Sequence, residues 1–218
     1  MRINYSITAF ILPLLLFVSC SKESIRGSGT TRTESRTLEP FTRVHTNANI
    51  DVHVKQGSTQ KVTVRGYENL LSITETKVTA GVLNIQFVNY YNVRNSNVEV
   101  LIEIPELQET QINGDAEIRI DGFTGGSNLF AHINGSGNTY ISNCTYTNAE
   151  LNVNGSGNFK AHGLSCQSGD LTITGSGDIE LSCQQFLNAR LSGSGDIRYW
   201  GQPSLNINIS GSGTVKRQ

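Results

Sequence analysis

One tripeptide constrains this chain more than anything else in it. Between residues 133 and 214, Gly-Ser-Gly recurs at Gly135–Gly137, Gly155–Gly157, Gly175–Gly177, Gly193–Gly195 and Gly211–Gly213. Its first glycine steps by 20, 20, 18 and 18 residues, and a degenerate copy, Ile112-Asn113-Gly114-Asp115-Ala116-Glu117, stands 21 residues earlier. A fixed period of this length is the signature of a repeat architecture. Each unit has one grammar. An alternating run leads in (Leu151-Asn152-Val153, Leu171-Thr172-Ile173), the glycine corner follows, and a second alternating run leaves (Asp178-Ile179-Glu180-Leu181, Asp196-Ile197-Arg198-Tyr199). Alternation predicts half-buried strands rather than helix. Glycine on both sides of serine permits positive φ and lets neighbouring backbones approach closely. A unit of 18–20 residues cannot bury its apolar face alone, so the units must stack. The expected fold is all-β: a parallel β-helix, right-handed as crossovers usually are, with like residues in columns. Ser136, Ser156, Ser176, Ser194 and Ser212 form one column, and Asn138, Asn158, Asp178, Asp196 and Thr214 the next.

The remaining composition agrees. Among 218 residues there are 22 Gly but only four Pro, and no collagen triplet. Only 16% of residues are charged and the formal charge is -1, so no basic face for nucleic acid is implied.

The chain opens on a targeting segment. Arg2 and the apolar run Ala9–Val18 read as a signal peptide over residues 1–19. The run is too short to span a bilayer. Leu16-Phe17-Val18-Ser19-Cys20 resembles a bacterial lipobox, which makes Cys20 the expected lipidation site, although Phe17 stands where Leu is usual. The lipid is the expected membrane attachment, with the outer membrane as the expected location because Ser21 is not the Asp that retains enteric lipoproteins at the inner membrane. Residues 20–36 are polar apart from Ile25 and are expected to be a flexible tether. The domain then runs over 37–218. Residues 37–109 lack the motif but alternate (Ile50–Val54, Val82–Phe87, Val98–Ile104) and are expected to be irregular coils that cap the repeat coils of 110–218, with a β-sandwich as the alternative. One short helix is expected at Glu68–Leu71, and turns at Gln56-Gly57-Ser58 and Ala80-Gly81.

Taken together, Phe41 before an alternating strand, Glu68-Asn69-Leu70-Leu71, Val98–Pro105 ending in Pro-Glu-Leu, and the serial Gly-Ser-Gly-Asp/Asn motifs resemble the bacterial "putative autotransporter adhesins" with a head GIN domain. The likeness spans residues 38–216. It implies a β-helical envelope protein with an adhesive role and carries no residue-level site. The repeats run to the last residues, leaving no room for an autotransporter barrel within this sequence.

Candidate chemistry is sparse. The Asp/Asn column suits turn capping better than Ca²⁺, because a Ca²⁺-binding β-roll repeats every nine residues with a different Gly/Asp order. Cys144, Cys166 and Cys183 fall 9, 11 and 8 residues after the first glycine of their coils, which places them near one another as packed thiols, with one disulfide as the alternative. His45, His53, His132 and His162 lack ligand spacing. Lys160, Glu180, Arg198 and Lys216 form an alternating charge column. Tyr90 and Tyr91, in the Asn-rich stretch Asn89–Asn97, are the expected ligand contacts, and some of Tyr140, Phe159 and Tyr199 are expected in the core. No catalytic residue, metal or cofactor is expected. The function expected is that of a non-catalytic envelope lipoprotein binding a surface glycan, polymer or protein. A polysaccharide-active lyase or hydrolase and an architectural envelope component are the alternatives.

Overall fold

A computed structural model describes residues 24–88 and 92–218. Cys20, Tyr90, Tyr91 and the signal segment lie outside the described residues. The strands are β1 (Ser24–Arg26), β2 (Thr31–Arg36), β3 (Arg43–Thr46), β4 (Asp51–Gln56), β5 (Lys61–Tyr67), β6 (Thr74–Thr79), β7 (Val82–Phe87), β8 (Asn92–Arg94), β9 (Glu99–Ile104), β10 (Glu109–Gly114), β11 (Glu117–Asp121), β12 (Gly126–Gly135), β13 (Asn138–Ser142), β14 (Cys144–Gly155), β15 (Asn158–Gly175), β16 (Ile179–Gly193), β17 (Asp196–Trp200), β18 (Ser204–Gly211) and β19 (Thr214–Arg217). The helix α1 (Glu68–Leu71) sits where the sequence places it and buries Leu70 and Leu71.

From β10 onward the chain is a parallel β-solenoid. β10 pairs with β12, β12 with β14, β14 with β15, β15 with β16, and β16 with β18. The strands leaving each corner stack likewise, β11 on β13 and β17 on β19. The register aligns Gly114, Gly135, Gly155, Gly175, Gly193 and Gly211 in one column. The inward residue two before each of these glycines is apolar and buried from Ile112 to Leu191.

The corner explains why both glycines are needed. At the first, φ lies between 133° and 139°, a region costly for any residue with a Cβ. Its carbonyl points along the solenoid axis and accepts the serine amide of the next corner: Ser156 N from Gly135 O at 2.9 Å, Ser176 N from Gly155 O at 2.9 Å, and Ser194 N from Gly175 O at 2.9 Å. A Cβ on the glycine above would collide with that carbonyl. The second glycine meets the same obstacle one residue on, where a Cβ at Gly177 would strike Gly157 O.

After the corner the side-chain column takes over the hydrogen bonding. Asn158 Oδ1 accepts the Asp178 amide at 2.9 Å, Asp178 Oδ1 accepts the Asp196 amide at 2.8 Å, and Asp196 Oδ1 accepts the Thr214 amide at 3.0 Å. A buried or partly buried amide needs such a partner. The Asp/Asn ladder is therefore corner capping, as the sequence suggests. The Thr214 hydroxyl, then its amide, with Lys216 and Arg198 nearby, hold the Asp196 carboxyl below the usual carboxylate range. The Ser142 hydroxyl and Asn143 amide do the same for Asp121. A carboxyl whose folded pKa is depressed stabilises the fold above its unfolded pKa, and that contribution is lost as pH falls through the folded value. The thermal midpoint is thus expected to drop below about pH 4. Asp196→Asn, which keeps the acceptor but cannot titrate, should flatten that drop in a series of melts by circular dichroism; an unchanged acid limb would remove Asp196 as a contributor.

The N-terminal strands continue both strand stacks, the one entering and the one leaving the corner, and share the same core. β3 pairs in parallel with β10, and β4 with β11. This aligns Thr46 with Ile112 and Val52 with Ile118, so residues 47–50 form one more corner without any glycine. Asn113 Nδ2 donates to Asn47 Oδ1, and Asp51 Oδ1 accepts the Glu117 amide. Beyond it β7 and β9 form a further parallel layer on β3 and β4. Antiparallel strands then close this end: β6 on β7, β5 on β9, and β2 on β5. Ala80 and Gly81, at φ 51° and 76°, make the β6–β7 hairpin, where two positive-φ residues match the strand twist.

The flexible tether expected over residues 20–36 is corrected in its described part. β1 pairs with β8, β2 pairs along its whole length with β5, and Ile25 packs against the core. Composition misleads here because β2 is held by its backbone: five of its six residues are exposed.

Candidate functional site

The solenoid interior is filled by buried side chains, and the outer strand faces carry two troughs. Side chains alternate across a strand. Because Ile133 and Leu191 point inward, counting back by twos keeps Leu129, Ala131, Leu187 and Ala189 inward and turns Phe130 and Phe186 outward. Phe130 is 40% and Phe186 45% exposed. They flank a trough of about 250 Å³ on β12, β14, β15 and β16. Small inward residues Ala149 and Gly169 lie between them, and the outward positions carry Asn128, Asn148, Ser168, Glu150, Asp170 and Asn188. These polar groups are ordered in ladders: Asn148 Nδ2 donates to Asn128 Oδ1 at 2.9 Å, and Asn188 Nδ2 to Asp170 Oδ2 at 3.0 Å. Arg190 Nη1 bonds Asp170 Oδ1 at 2.5 Å. The trough is thus aromatic at its ends and amide-rich along its floor.

A second groove, of about 440 Å³, lies where β4, β5, β9, β11 and β13 present their outer faces. Its lining includes His53, Lys61, Leu101, Glu103, Arg119 and Asp121. Several of its ionisable groups are paired. His53 Nε2 lies 3.2 Å from Glu99. Lys55 Nζ lies 2.7 Å from Glu103 and holds that carboxyl below its usual range. The Arg119 guanidinium sits 5.1 Å above the Tyr140 ring, a cation–π contact at an exposed site.

The remaining sequence candidates distribute as follows. His45 bonds Glu109 at 2.6 Å, and His162 lies against Trp200 at 4.1 Å between ring centroids. His132 meets Asn152 at 3.2 Å. Phe159 and Tyr199 are core residues, as expected for part of that set, whereas Tyr140 is 37% exposed. Tyr146 is buried and donates its hydroxyl to Leu107 O at 2.9 Å. The column Lys160, Glu180, Arg198, Lys216 forms in register, with Glu180 bonded to Lys160 at 3.4 Å and to Arg198 at 3.5 Å. Among the described residues, no group of three or more His, Cys, Asp or Glu could hold a metal ion.

The three thiols are buried. Cys166 and Cys183 are direct register partners, whereas Cys144 aligns with Leu164, two positions away. The adjacent Cys166 thiol draws the Cys183 thiol below its usual range against the opposing effect of burial. That contact, followed by burial, pushes Cys166 upward. Burial pushes Cys144 up to about 11.

Sequence reasoning did not single out Phe130 or Phe186. The signal was present, because each lies an odd number of residues before an inward apolar position at the corner.

Residues 40–203 match the family model described as "Putative auto-transporter adhesin, head GIN domain". A search of curated proteins finds no match. Among solved structures, the chain is similar to a "putative adhesin" from Bacteroides fragilis, with 20% identity, a TM-score of 0.70, and coverage of 89% of this chain and 100% of that one. It is similar to a "putative lipid binding protein" from Parabacteroides distasonis, with 22% identity, a TM-score of 0.60, and coverage of 90% and 100%. A "putative adhesin" from Parabacteroides merdae gives 21% identity, a TM-score of 0.51, and coverage of 90% and 99%. At these identities the likeness concerns the fold.

Proposed function

The chain belongs to the head GIN domain family of "putative auto-transporter adhesins", and on that premise we propose that it is a non-catalytic adhesin of the cell envelope, carried by a lipid on Cys20, that binds a surface glycan or protein through an outer strand face of the solenoid. One observation carries the reading: the trough between exposed Phe130 and Phe186, whose floor of Asn, Ser and Asp is ordered by ladder hydrogen bonds. Flat rings beside amide and hydroxyl groups suit a ligand with apolar faces and polar edges. No helix among the described residues is long and apolar enough to cross a membrane, which is compatible with attachment by lipid.

The test is retention of the purified chain on immobilised polysaccharides, matrix proteins and whole cells, alongside attachment by a strain lacking the gene. Retention on at least one surface, with weaker attachment by that strain, is expected. Silence on every surface together with unchanged attachment would overturn adhesion, and turnover of a polysaccharide would replace it with catalysis. Labelling of Cys20 by a clickable fatty acid, lost in Cys20→Ala, tests the anchor separately.

A further inference from the structure

We propose that Cys166 and Cys183 form a disulfide that staples consecutive coils of the solenoid. The two residues are register partners in the β15–β16 ladder. Neighbouring strands lie about 4.7–4.9 Å apart, inside the window of about 4.4–6.8 Å between Cα atoms that a disulfide spans. Both side chains face the interior, at 2% and 0% exposure, and each thiol shifts the other's ionisation, Cys166 upward and Cys183 downward.

The location gives the link a purpose. Elsewhere β15 and β16 pair over long unbroken runs, but here the register shifts twice, between Ala161 and Ser165 and again between Cys166 and Ser168. Only two residue pairs, Ser165–Ser182 and Cys166–Cys183, hold the coils between those breaks. A covalent bond at the second pair ties down the stretch where the backbone ladder is weakest. Cys144 takes no part, since its register partner is Leu164.

The oxidant required is a disulfide-bearing one, either a thiol–disulfide oxidoreductase or a small-molecule disulfide. The Cys183 thiolate attacks one of its sulfurs, forming a mixed disulfide and expelling a thiolate. Cys166 then gives up its proton and attacks the Cys183 sulfur, expelling the second thiolate. Two electrons and two protons pass to the oxidant, which leaves as two thiols. Because both sulfurs are buried in the folded coil, exchange takes place while the coils are docking.

The inference rests on the envelope reading only for where the oxidant is met, so the test has two arms. In the first, the full chain is refolded in an oxidising glutathione buffer, alkylated under denaturing conditions without reductant, and mapped by mass spectrometry. A Cys166–Cys183 linked peptide with alkylated Cys144 is expected, and reduction should lower the thermal midpoint by about 5–10 °C. Cys144→Ser should keep the link, and Cys183→Ser should remove both the link and the effect of reductant. Full alkylation of all three thiols, or a link that contains Cys144, would overturn the proposal, and the wild-type map decides it even if a variant fails to fold. In the second arm the chain is taken directly from its host's envelope under acid quench. The linked peptide there supports both the staple and the compartment; a link made in buffer but missing from cells leaves the geometry standing and counts against the compartment.

Discussion

Gly175→Ala is expected to lower the unfolding free energy by about 2–6 kcal/mol, a large share of the whole stability of a domain. Two costs act together. Gly175 holds φ at 136°, where a side chain costs about 1–3 kcal/mol. Its Cβ would also stand against the carbonyl oxygen, carbonyl carbon and Cα of Gly155. Those are backbone atoms of the neighbouring coil and cannot rotate away, so overpacking adds about 1–3 kcal/mol. Gly114→Ala separates the two. Gly114 has nearly the same φ, 133°, but nothing lies within 4 Å of a Cβ there. It should cost only the conformational part, about 1–3 kcal/mol. Urea denaturation of both variants measures the difference. Equal losses would show that coil-to-coil contact is not what keeps glycine in the column.

The same column shows how much of the fold the sequence discloses. Period and alternation were enough for the parallel stack, because every coil repeats one solution to the same packing problem. A single Gly-Ser-Gly discloses nothing: the copy at Gly27–Gly29 lies beside β8, and a Cβ at Gly29 would meet no neighbour within 4 Å. Conversely, the corner at residues 47–50 has no glycine, since Ala48 occupies the position equivalent to Gly114. A Cβ on Gly114, the glycine that stacks against that corner, would meet nothing within 4 Å, so the crowding that fixes glycine in later corners is absent between these two coils. The antiparallel strands of the N-terminal end were not legible because strand direction follows from long-range pairing, which leaves no local period. The thiols show the same limit. Their offsets from the corner glycines place all three close together, but the register shift after Ala161 is what pairs Cys166 with Cys183, and the unshifted register of β14 on β15 sets Cys144 opposite Leu164. Site residues were the least legible. Parity exposes Phe130 and Phe186, yet that they border one trough depends on which coils and columns they occupy: Phe130 aligns with Glu150, whereas Phe186 aligns with Ser168.

Replacing Phe130 and Phe186 together by Ala is expected to weaken retention on the polysaccharide or matrix protein that holds the wild-type chain by about 100-fold. Exposed aromatic anchors at a binding surface contribute roughly 1–2 kcal/mol each or more when truncated, and about 2.7 kcal/mol is two orders of magnitude in Kd. The fold should not register the change beyond about 0.5 kcal/mol. Both rings project from the outer face at 40% and 45% exposure, and the core beneath them is made by Leu129, Ala131, Leu187 and Ala189, which stay in place. Leu101→Ala is the matched control, a 37% exposed apolar residue in the other groove. If ligand lies in the trough, the double variant loses retention and Leu101→Ala keeps it. If ligand lies in the larger groove, the order reverses and the His53–Glu99 and Lys55–Glu103 pairs become the contacts to replace next. Salt separates the same two cases independently. The trough's floor is mostly amide and hydroxyl, so retention there should change little between low and physiological ionic strength, whereas a ligand held by Lys61 and Arg119 should be released as screening increases. Retention that survives the double substitution and falls steeply with salt would sink the aromatic trough as the binding face.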